Sequence, residues 1–159
     1  MPHINEKIDF CVEVFIVYKN KVLLRIHDKL GFWLSVGGHI ELDEDPIEAA
    51  IREVKEEVGL DIEIIGESNG PLNGDDKNRN YKYLIPPRYL GRHPVNDKHE
   101  HVVFVYFAKS KTDLISESIL EHEKGVEMKW MTSDDLNKIE IIPNVKFYAL
   151  EALKELGEK

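Results

Sequence analysis

Three glutamates, Glu53, Glu56 and Glu57, lie within five residues of sequence. With about 100° of rotation per residue, a helix places all three side chains on one side. Carboxylates about 4 Å apart near a protein surface repel each other by roughly 4 kcal/mol, and a divalent cation between them offsets that cost. Mg²⁺ in particular is held by a few carboxylates together with water and phosphate oxygens. The spacing therefore has two interpretations, a solvated helix face or the ligands of a divalent cation.

The helix that carries these glutamates has well-marked ends. Asp45 is a suitable N-cap, Pro46 fits the first helical position, and Glu48 completes a capping box with Asp45. Gly59 is placed to end the helix. Helical periodicity predicts a face towards the core that consists of Ile47, Ala50, Ile51, Val54 and Val58. The glutamates then lie along one side of that apolar face.

The rest of the chain predicts strands mixed with helices. Two runs rich in β-branched residues, at 9–18 and 21–27, are separated by Lys19-Asn20 and predict a hairpin. Further strands are expected at 32–36, at 60–66, at 101–108 and in a segment that ends at Lys129-Trp130-Met131, and further helices at 133–138 and 144–156. The polar, Gly- and Pro-containing segment 67–100 is predicted to be a long loop. This pattern indicates an α/β fold in a single domain over residues 1–159.

The composition limits the classes of molecule that the protein is expected to bind. The chain has 30 acidic and 21 basic residues and a net charge of −9, so it repels the phosphate backbone of a nucleic acid polymer. A small phosphorylated ligand needs a cation or a local basic patch to overcome the same repulsion. No apolar run reaches the roughly 20 residues that span a bilayer, the N-terminus lacks a secretion signal, and Cys11 is the only cysteine. We therefore expect a cytoplasmic protein with no membrane partner and no internal disulfide.

The segment from Gly38 to Leu60 follows the pattern G-x5-E-x7-R-E-U-x-E-E-x-G-U, in which U is a bulky aliphatic residue. The defined positions are occupied by Gly38, Glu44, Arg52, Glu53, Val54, Glu56, Glu57, Gly59 and Leu60. This segment resembles the Nudix box, and agreement at all nine positions is too extensive to arise by chance. One departure lies beside the box, where the family often has Pro and this chain has Val36. The resemblance implies a Nudix-type α/β/α sandwich with a mixed central sheet.

The resemblance also implies a reaction and a set of site residues. Nudix proteins mostly hydrolyse a nucleoside diphosphate linked to another group, and they use Mg²⁺ or Mn²⁺ to orient and acidify the attacking water. By position, Glu53, Glu56 and Glu57 are the expected metal ligands, and the backbone carbonyl of Gly38 is a further candidate. Arg52 is expected to hold a glutamate in its ligating orientation through a charge-assisted hydrogen bond.

Three roles stay open from the sequence. The general base is Glu53, Glu56 or a carboxylate from a distant loop. Glu123 is a candidate for an additional ligand or base, and its alternative is a plain surface position. Glu44 either ties the loop to the helix or belongs only to the helix entry.

Three arginines outside the box are candidate phosphate contacts. Arg88 and Arg92 lie in a segment, 81–101, that mixes aromatic residues, arginines and histidines, and we expect it to border the substrate pocket. Arg25 lies on the second predicted strand. For each of them the alternative is an exposed side chain with no ligand.

Three histidines of the same segment, His93, His99 and His101, are candidate ligands of a transition metal. Imidazole nitrogen suits Zn²⁺, Cu²⁺ and Ni²⁺ better than it suits Mg²⁺. The alternative is a polar surface loop whose histidines are solvated.

The expected function is that of an enzyme with a small-molecule nucleotide substrate. A binding module that keeps the fold and senses a nucleotide without cleaving it is the alternative, although the chain retains every carboxylate of the box. The isomerase branch of the family, which acts on isopentenyl diphosphate, needs a catalytic cysteine, and Cys11 matches no such position. Many family members dimerise, so a homodimer is compatible with the resemblance.

Overall fold

The computed structural model describes residues 4–27, 31–68, 70 and 80–159. The strands are β1 (Ile8–Tyr18), β2 (Lys21–Ile26), β3 (Trp33–Leu34), β4 (Val36–His39), β5 (Ile62–Ile64), β6 (Tyr89–Asn96), β7 (His99–Ser110) and β8 (Met128–Met131). The helices are α1 (Pro46–Val58), α2 (Ser133–Lys138) and α3 (Pro143–Leu156), with a 3-10 helix at Glu121–Glu123. Apart from β6, and from β4, which overlaps the predicted strand 32–36 only at Val36, these strands and α-helices lie where the sequence predicts them.

Helix α1 begins and ends as its sequence dictates. Asp45 accepts hydrogen bonds from the N–H groups of Ile47 and Glu48, and the Glu48 side chain accepts one from the Asp45 N–H. Gly59 ends the helix with a left-handed φ of 71°, which costs little only for glycine. The predicted capping box and the predicted end are both confirmed.

The eight strands form one mixed sheet. At its centre β1 runs parallel to β7, with Asp9 opposite His101 and Cys11 opposite Val103. On its other edge β1 pairs antiparallel with β4, which places Cys11 opposite His39. All other strand pairs are antiparallel. The predicted mixed sheet is therefore confirmed.

Helices cover both faces of the sheet. Side chains of α1 pack on one face with alternate residues of β1, and side chains of α2 and α3 pack on the other face. This arrangement is the predicted α/β/α sandwich. The predicted core face of α1 is wrong at Ile51, which is exposed, because the buried face is rotated to include Ala49, Glu53 and Glu57. Within the described residues, no helix combines the length and the apolar composition that a membrane crossing requires.

The prediction of one long loop over 67–100 is wrong for its second half. Residues Tyr89–Asn96 form β6, which pairs antiparallel with β7. The strand is mostly exposed on both faces and contains Gly91 and Pro94, so it lacks the alternation of apolar and polar residues that predicts a strand. The segment is extended because it pairs with β7, and its composition alone does not indicate a strand. Residues 69 and 71–79 of the predicted loop lie outside the described residues.

Candidate active site

The paired glycines of β4 contact the glutamates of α1 directly. The backbone N–H of Gly37 donates a hydrogen bond to Glu57 Oε2 at 3.1 Å. At Gly38, a side-chain Cβ would lie 2.6 Å from Glu53 Cδ and would overlap the carboxylate. Two of the three predicted ligands therefore lie against the backbone of the box's first glycine and its neighbour.

Glu53 and Glu57 are almost completely buried, with exposed fractions of 0% and 1%. Burial raises the pKa of Glu53 to about 7, although the charge of Arg52 opposes the shift. Burial also raises the pKa of Glu57 well above its ordinary value, against the opposing charge of Arg25. A positive charge bound beside either carboxylate would therefore lower its pKa strongly.

Two residues far from the box in sequence lie beside its glutamates. Glu123 and the box residues Glu53, Glu56 and Glu57 together form what we call the carboxylate cluster. Arg25 of β2 donates from Nη2 to Glu57 Oε1 at 2.7 Å and to Glu123 Oε1 at 3.4 Å. Glu123 belongs to the 3-10 helix at Glu121–Glu123 and is largely buried. The structure therefore brings two of the open candidates, Arg25 and Glu123, to the box glutamates. Arg25 contacts the carboxylates themselves.

Arg52 links the loop before α1 to the glutamates on it. Its Nε and Nη2 donate to both oxygens of Glu44, at 2.9 Å and 2.6 Å. Its Nη1 donates to Glu53 Oε1 at 3.0 Å and to Glu56 Oε2 at 3.1 Å, and Nη2 also donates to the backbone carbonyl of His39 at 3.0 Å. Glu44 Oε1 in turn accepts a hydrogen bond from the backbone N–H of Glu41. Arg52 and Glu44 together therefore hold the loop before α1 against the helix.

The carboxylate cluster retains unused hydrogen-bonding capacity. Among the described residues, the buried atoms Glu53 Oε2 and Glu123 Oε2 have no hydrogen-bond partner. A buried carboxylate oxygen without a donor is destabilising, and a hard divalent cation is the kind of group that satisfies it. The donor set of this cluster consists of oxygens alone, which suits Mg²⁺ or Mn²⁺ rather than a metal that prefers nitrogen or sulfur.

A cleft with a volume of about 520 Å³ opens beside this cluster. Its described lining includes three carboxylates, those of Glu13, Glu57 and Glu123, and a single arginine, Arg25. Arg25 already pairs with two of these carboxylates, so it has little capacity left for a phosphate group. A divalent cation bound at the carboxylates would attract a phosphate group to the cleft.

The other two predicted phosphate contacts do not lie in the described lining of this cleft. Arg88 forms an ion pair with Glu155 of α3. Arg92 forms an ion pair with Glu100 on the neighbouring strand and borders a smaller adjoining pocket that also contains Glu13. The cleft and the box glutamates are thus reached by Arg25 alone among the three arginines.

The structure also identifies site residues that the sequence analysis did not select. Glu13 of β1 lines the cleft, and burial raises its pKa. Its signal was available, because Glu13 interrupts the apolar run of β1 between Phe10 and Tyr18. Asp9 and His39 lie beside the histidines of β7, and no spacing in the sequence indicated this, because three separate strands bring them together.

With this geometry established, comparisons with known proteins decide the family. The model of the NUDIX domain matches residues 11–153. The chain belongs to the Nudix hydrolase family. The resemblance noted in the box is therefore confirmed over most of the sequence.

The chain is also similar to individual proteins. The dihydroneopterin triphosphate diphosphatase of Haemophilus influenzae is 36% identical over 116 residues, which are 69% of this chain and 70% of that protein. The RNA pyrophosphohydrolase of Marinomonas sp. is 45% identical over 61 residues, 36% of this chain and 32% of that protein. The crystal structure of a NUDIX-family hydrolase from Clostridium perfringens has 38% sequence identity and a TM-score of 0.82, and the match covers 93% of this chain and 97% of that one.

Proposed function

We propose that this Nudix hydrolase cleaves a phosphoanhydride bond in a small nucleoside diphosphate derivative and requires Mg²⁺ or Mn²⁺. The observation that carries the proposal is the pair of buried oxygens, Glu53 Oε2 and Glu123 Oε2, which lack a hydrogen-bond donor among the described residues. Each of these carboxylates has one arginine partner, Arg52 for Glu53 and Arg25 for Glu123, and a bound cation would satisfy the remaining oxygen of each. The names of two relatives, a diphosphatase and a pyrophosphohydrolase, support cleavage of a diphosphate bond.

In this proposal Glu53, Glu56, Glu57 and Glu123 would hold the cation, together with the carbonyl of Gly38. When bound, the cation would supply Lewis acidity that lowers the pKa of the attacking water and neutralises charge on the leaving phosphate. Glu53 or Glu56 would accept the proton of that water.

Two arginines position these carboxylates. Arg52 fixes Glu53 and Glu56 through one guanidinium nitrogen, and Arg25 fixes Glu57 across the sheet. Charge-assisted hydrogen bonds of this kind hold a carboxylate more strongly than neutral ones do. Arg25 in this proposal acts on the ligands and not on the substrate.

The acidic cleft explains why the cation also serves substrate binding. The cleft volume of about 520 Å³ lies in the range typical of small-molecule sites. Acidic side chains do not attract a diphosphate, whereas a divalent cation held between them and the diphosphate attracts both. We expect the group linked to the diphosphate to lie towards Glu13 and the adjoining pocket that Arg92 borders.

The test is phosphate release from a panel of substrates with Mg²⁺, with Mn²⁺ and with a chelator. The panel contains dihydroneopterin triphosphate, nucleoside di- and triphosphates, ADP-ribose, sugar nucleotides and dinucleoside polyphosphates. We expect turnover of at least one compound, and we expect the chelator to abolish it.

Glu53→Gln, Glu56→Gln and Glu57→Gln should each lower kcat by at least about 100-fold, because each removes a charge from the proposed cation site. Glu63→Gln is the matched control, since Glu63 is an exposed glutamate of β5 outside the cluster. Turnover that survives the chelator, or that is nearly normal in the three variants, would refute the proposal. Metal-dependent nucleotide binding with no turnover on any compound would instead indicate a nucleotide sensor.

A further inference from the structure

A second group of potential metal ligands lies on the opposite face of the sheet from α1. Asp9 and Cys11 of β1 share this face with His39 of β4 and with His99 and His101 of β7, because Asp9 is opposite His101 and Cys11 is opposite His39. Side chains two residues apart on a strand point to the same face, which adds His99 to the group. Three strands thus contribute side chains to one patch.

The ligand atoms of this patch lie close together. Asp9 Oδ2 is 3.3 Å from His99 Nε2 and 3.4 Å from His39 Nε2. His39 Nε2 is in turn 3.3 Å from His101 Nε2. Asp9, His99 and His101 each place a ligand atom within 4.8 Å of the other two, so the group is compact and does not extend in a line.

These separations are compatible with a tetrahedral metal site. With metal–nitrogen and metal–oxygen bonds of about 2.0–2.1 Å, neighbouring ligands of a tetrahedral Zn²⁺ lie about 3.3–3.4 Å apart. The Asp9–His99, Asp9–His39 and His39–His101 separations all fall in this range.

The orientation of His99 also suits a metal. His99 Nδ1 lies 3.1 Å from the backbone carbonyl of Glu6, and since a carbonyl oxygen only accepts, Nδ1 carries a proton. This contact fixes the ring so that Nε2 lies 3.3 Å from Asp9 Oδ2, as in histidines that are oriented for metal binding.

We propose that Asp9, His39, His99 and His101 bind a first-row transition metal, for which Zn²⁺ is the best match, at a site separate from the carboxylate cluster of α1. One carboxylate and three imidazoles suit Zn²⁺, whereas Mg²⁺ prefers oxygen ligands alone. Cys11 lies within 4.8 Å of the ligand atoms of His39 and His101 but is not a ligand in this proposal. Its ligand atom belongs to the group of His39 and His101 and not to the group of Asp9 and His99.

The site is accessible from the cleft. His39 and His101 line the cleft, while Asp9 and His99 are buried behind them. His39 directly follows Gly38 of the box, and its carbonyl accepts a hydrogen bond from Arg52. With four protein ligands, a metal held here would have no open coordination position and would have a structural role beside the substrate cleft. This site does not depend on the proposed hydrolytic function.

The test is a titration of tag-free, chelator-treated protein with Co²⁺, followed by displacement with Zn²⁺. The parent protein carries Glu53→Gln, which weakens the carboxylate site so that the two sites are not confused. We expect one equivalent of Co²⁺ to give the intense visible absorption of a tetrahedral complex, which oxygen-only six-coordinate Co²⁺ does not show.

His101→Ala and Asp9→Asn in that parent should remove the absorption and lower the affinity for Zn²⁺ at least about 100-fold, because each removes a ligand. His122→Ala is the matched control, since its side chain is 57% exposed and lies outside the group. Circular dichroism verifies folding, and His39→Gln replaces any variant that fails to fold. Absence of the tetrahedral absorption from the parent, its retention in the ligand variants, or its equal loss in His122→Ala would each overturn the proposal.

Discussion

Arg25 and Glu57 form a buried ion pair across the sheet, with Arg25 Nη2 2.7 Å from Glu57 Oε1, although 32 residues separate them in the chain. The other oxygen of Glu57 accepts the N–H of Gly37. Glu57 is therefore held at both oxygens, by β2 on one side and by β4 on the other. Its position depends on the sheet as much as on the helix that carries it.

This relationship predicts the effect of Arg25→Met. Loss of the guanidinium leaves the Glu57 carboxylate buried without its counter-ion, which typically costs about 3–5 kcal/mol of folding stability. We expect kcat to fall about 10- to 100-fold with KM changed little, because a metal ligand loses its orienting partner. Steady-state kinetics and thermal unfolding measure both effects. A rise in KM at constant kcat would instead support a direct contact between Arg25 and the substrate phosphate.

Arg52→Lys tests whether the geometry of the guanidinium matters or only its charge. Arg52 reaches Glu44, Glu53 and Glu56 at the same time, and a lysine ammonium cannot reproduce this planar arrangement. We expect kcat to fall about 10- to 100-fold with the Lys variant. Lys55→Ala on the same helix is the control, because Lys55 is exposed and pairs with Asp61. Equal activity of Arg52→Lys and wild type would show that charge alone suffices.

Gly38→Ala tests the close contact between β4 and α1. A Cβ at this position overlaps the Glu53 carboxylate, so the glutamate must move away from its present position. We expect a loss of about 1–3 kcal/mol in stability, as for other overpacked sites, and at least about a 100-fold loss in kcat. Gly91→Ala is the control, since its Cβ would meet nothing within 4 Å, and its stability should change by less than about 0.5 kcal/mol. A fully active Gly38→Ala would contradict the assigned position of Glu53.

Because the pKa of Glu13 is raised, we predict that the folding stability of the protein depends on pH. Burial raises its pKa above the ordinary 4.5, so the folded protein binds this proton more tightly than the unfolded chain does. Stability is therefore lost as the pH rises from 4.5 through the folded pKa. Glu13→Gln removes this loss, and its melting temperature relative to wild type should increase steadily over the same rise in pH. A difference that is independent of pH would show that Glu13 does not titrate in the folded protein.

The local features of this protein were predictable from sequence because they depend on residues close together in the chain. The ends of α1 follow from Asp45, Pro46, Glu48 and Gly59, whose interactions span four residues or fewer. The same holds for the spacing of Glu53, Glu56 and Glu57 on one helix. Strands with strong apolar runs, such as β1 and β7, were predictable for the same reason.

Features that depend on pairing between distant strands were not predictable in this way. Strand β6 has a polar sequence and becomes extended only by pairing with β7. Ile51 has the spacing of a core residue, but the orientation in which α1 packs on the sheet leaves it exposed.

The sequence by itself determined the family, the capped helix and the acidic residues that it carries, since these are properties of a contiguous motif. Only the tertiary structure decided that Arg25 and Glu123 join those residues and that Asp9 and His39 meet the histidines of β7. The physical reason is strand register. Side chains that are distant in sequence are placed within hydrogen-bonding or metal-ligating distance by the pairing of whole strands, and no short stretch of sequence encodes that pairing.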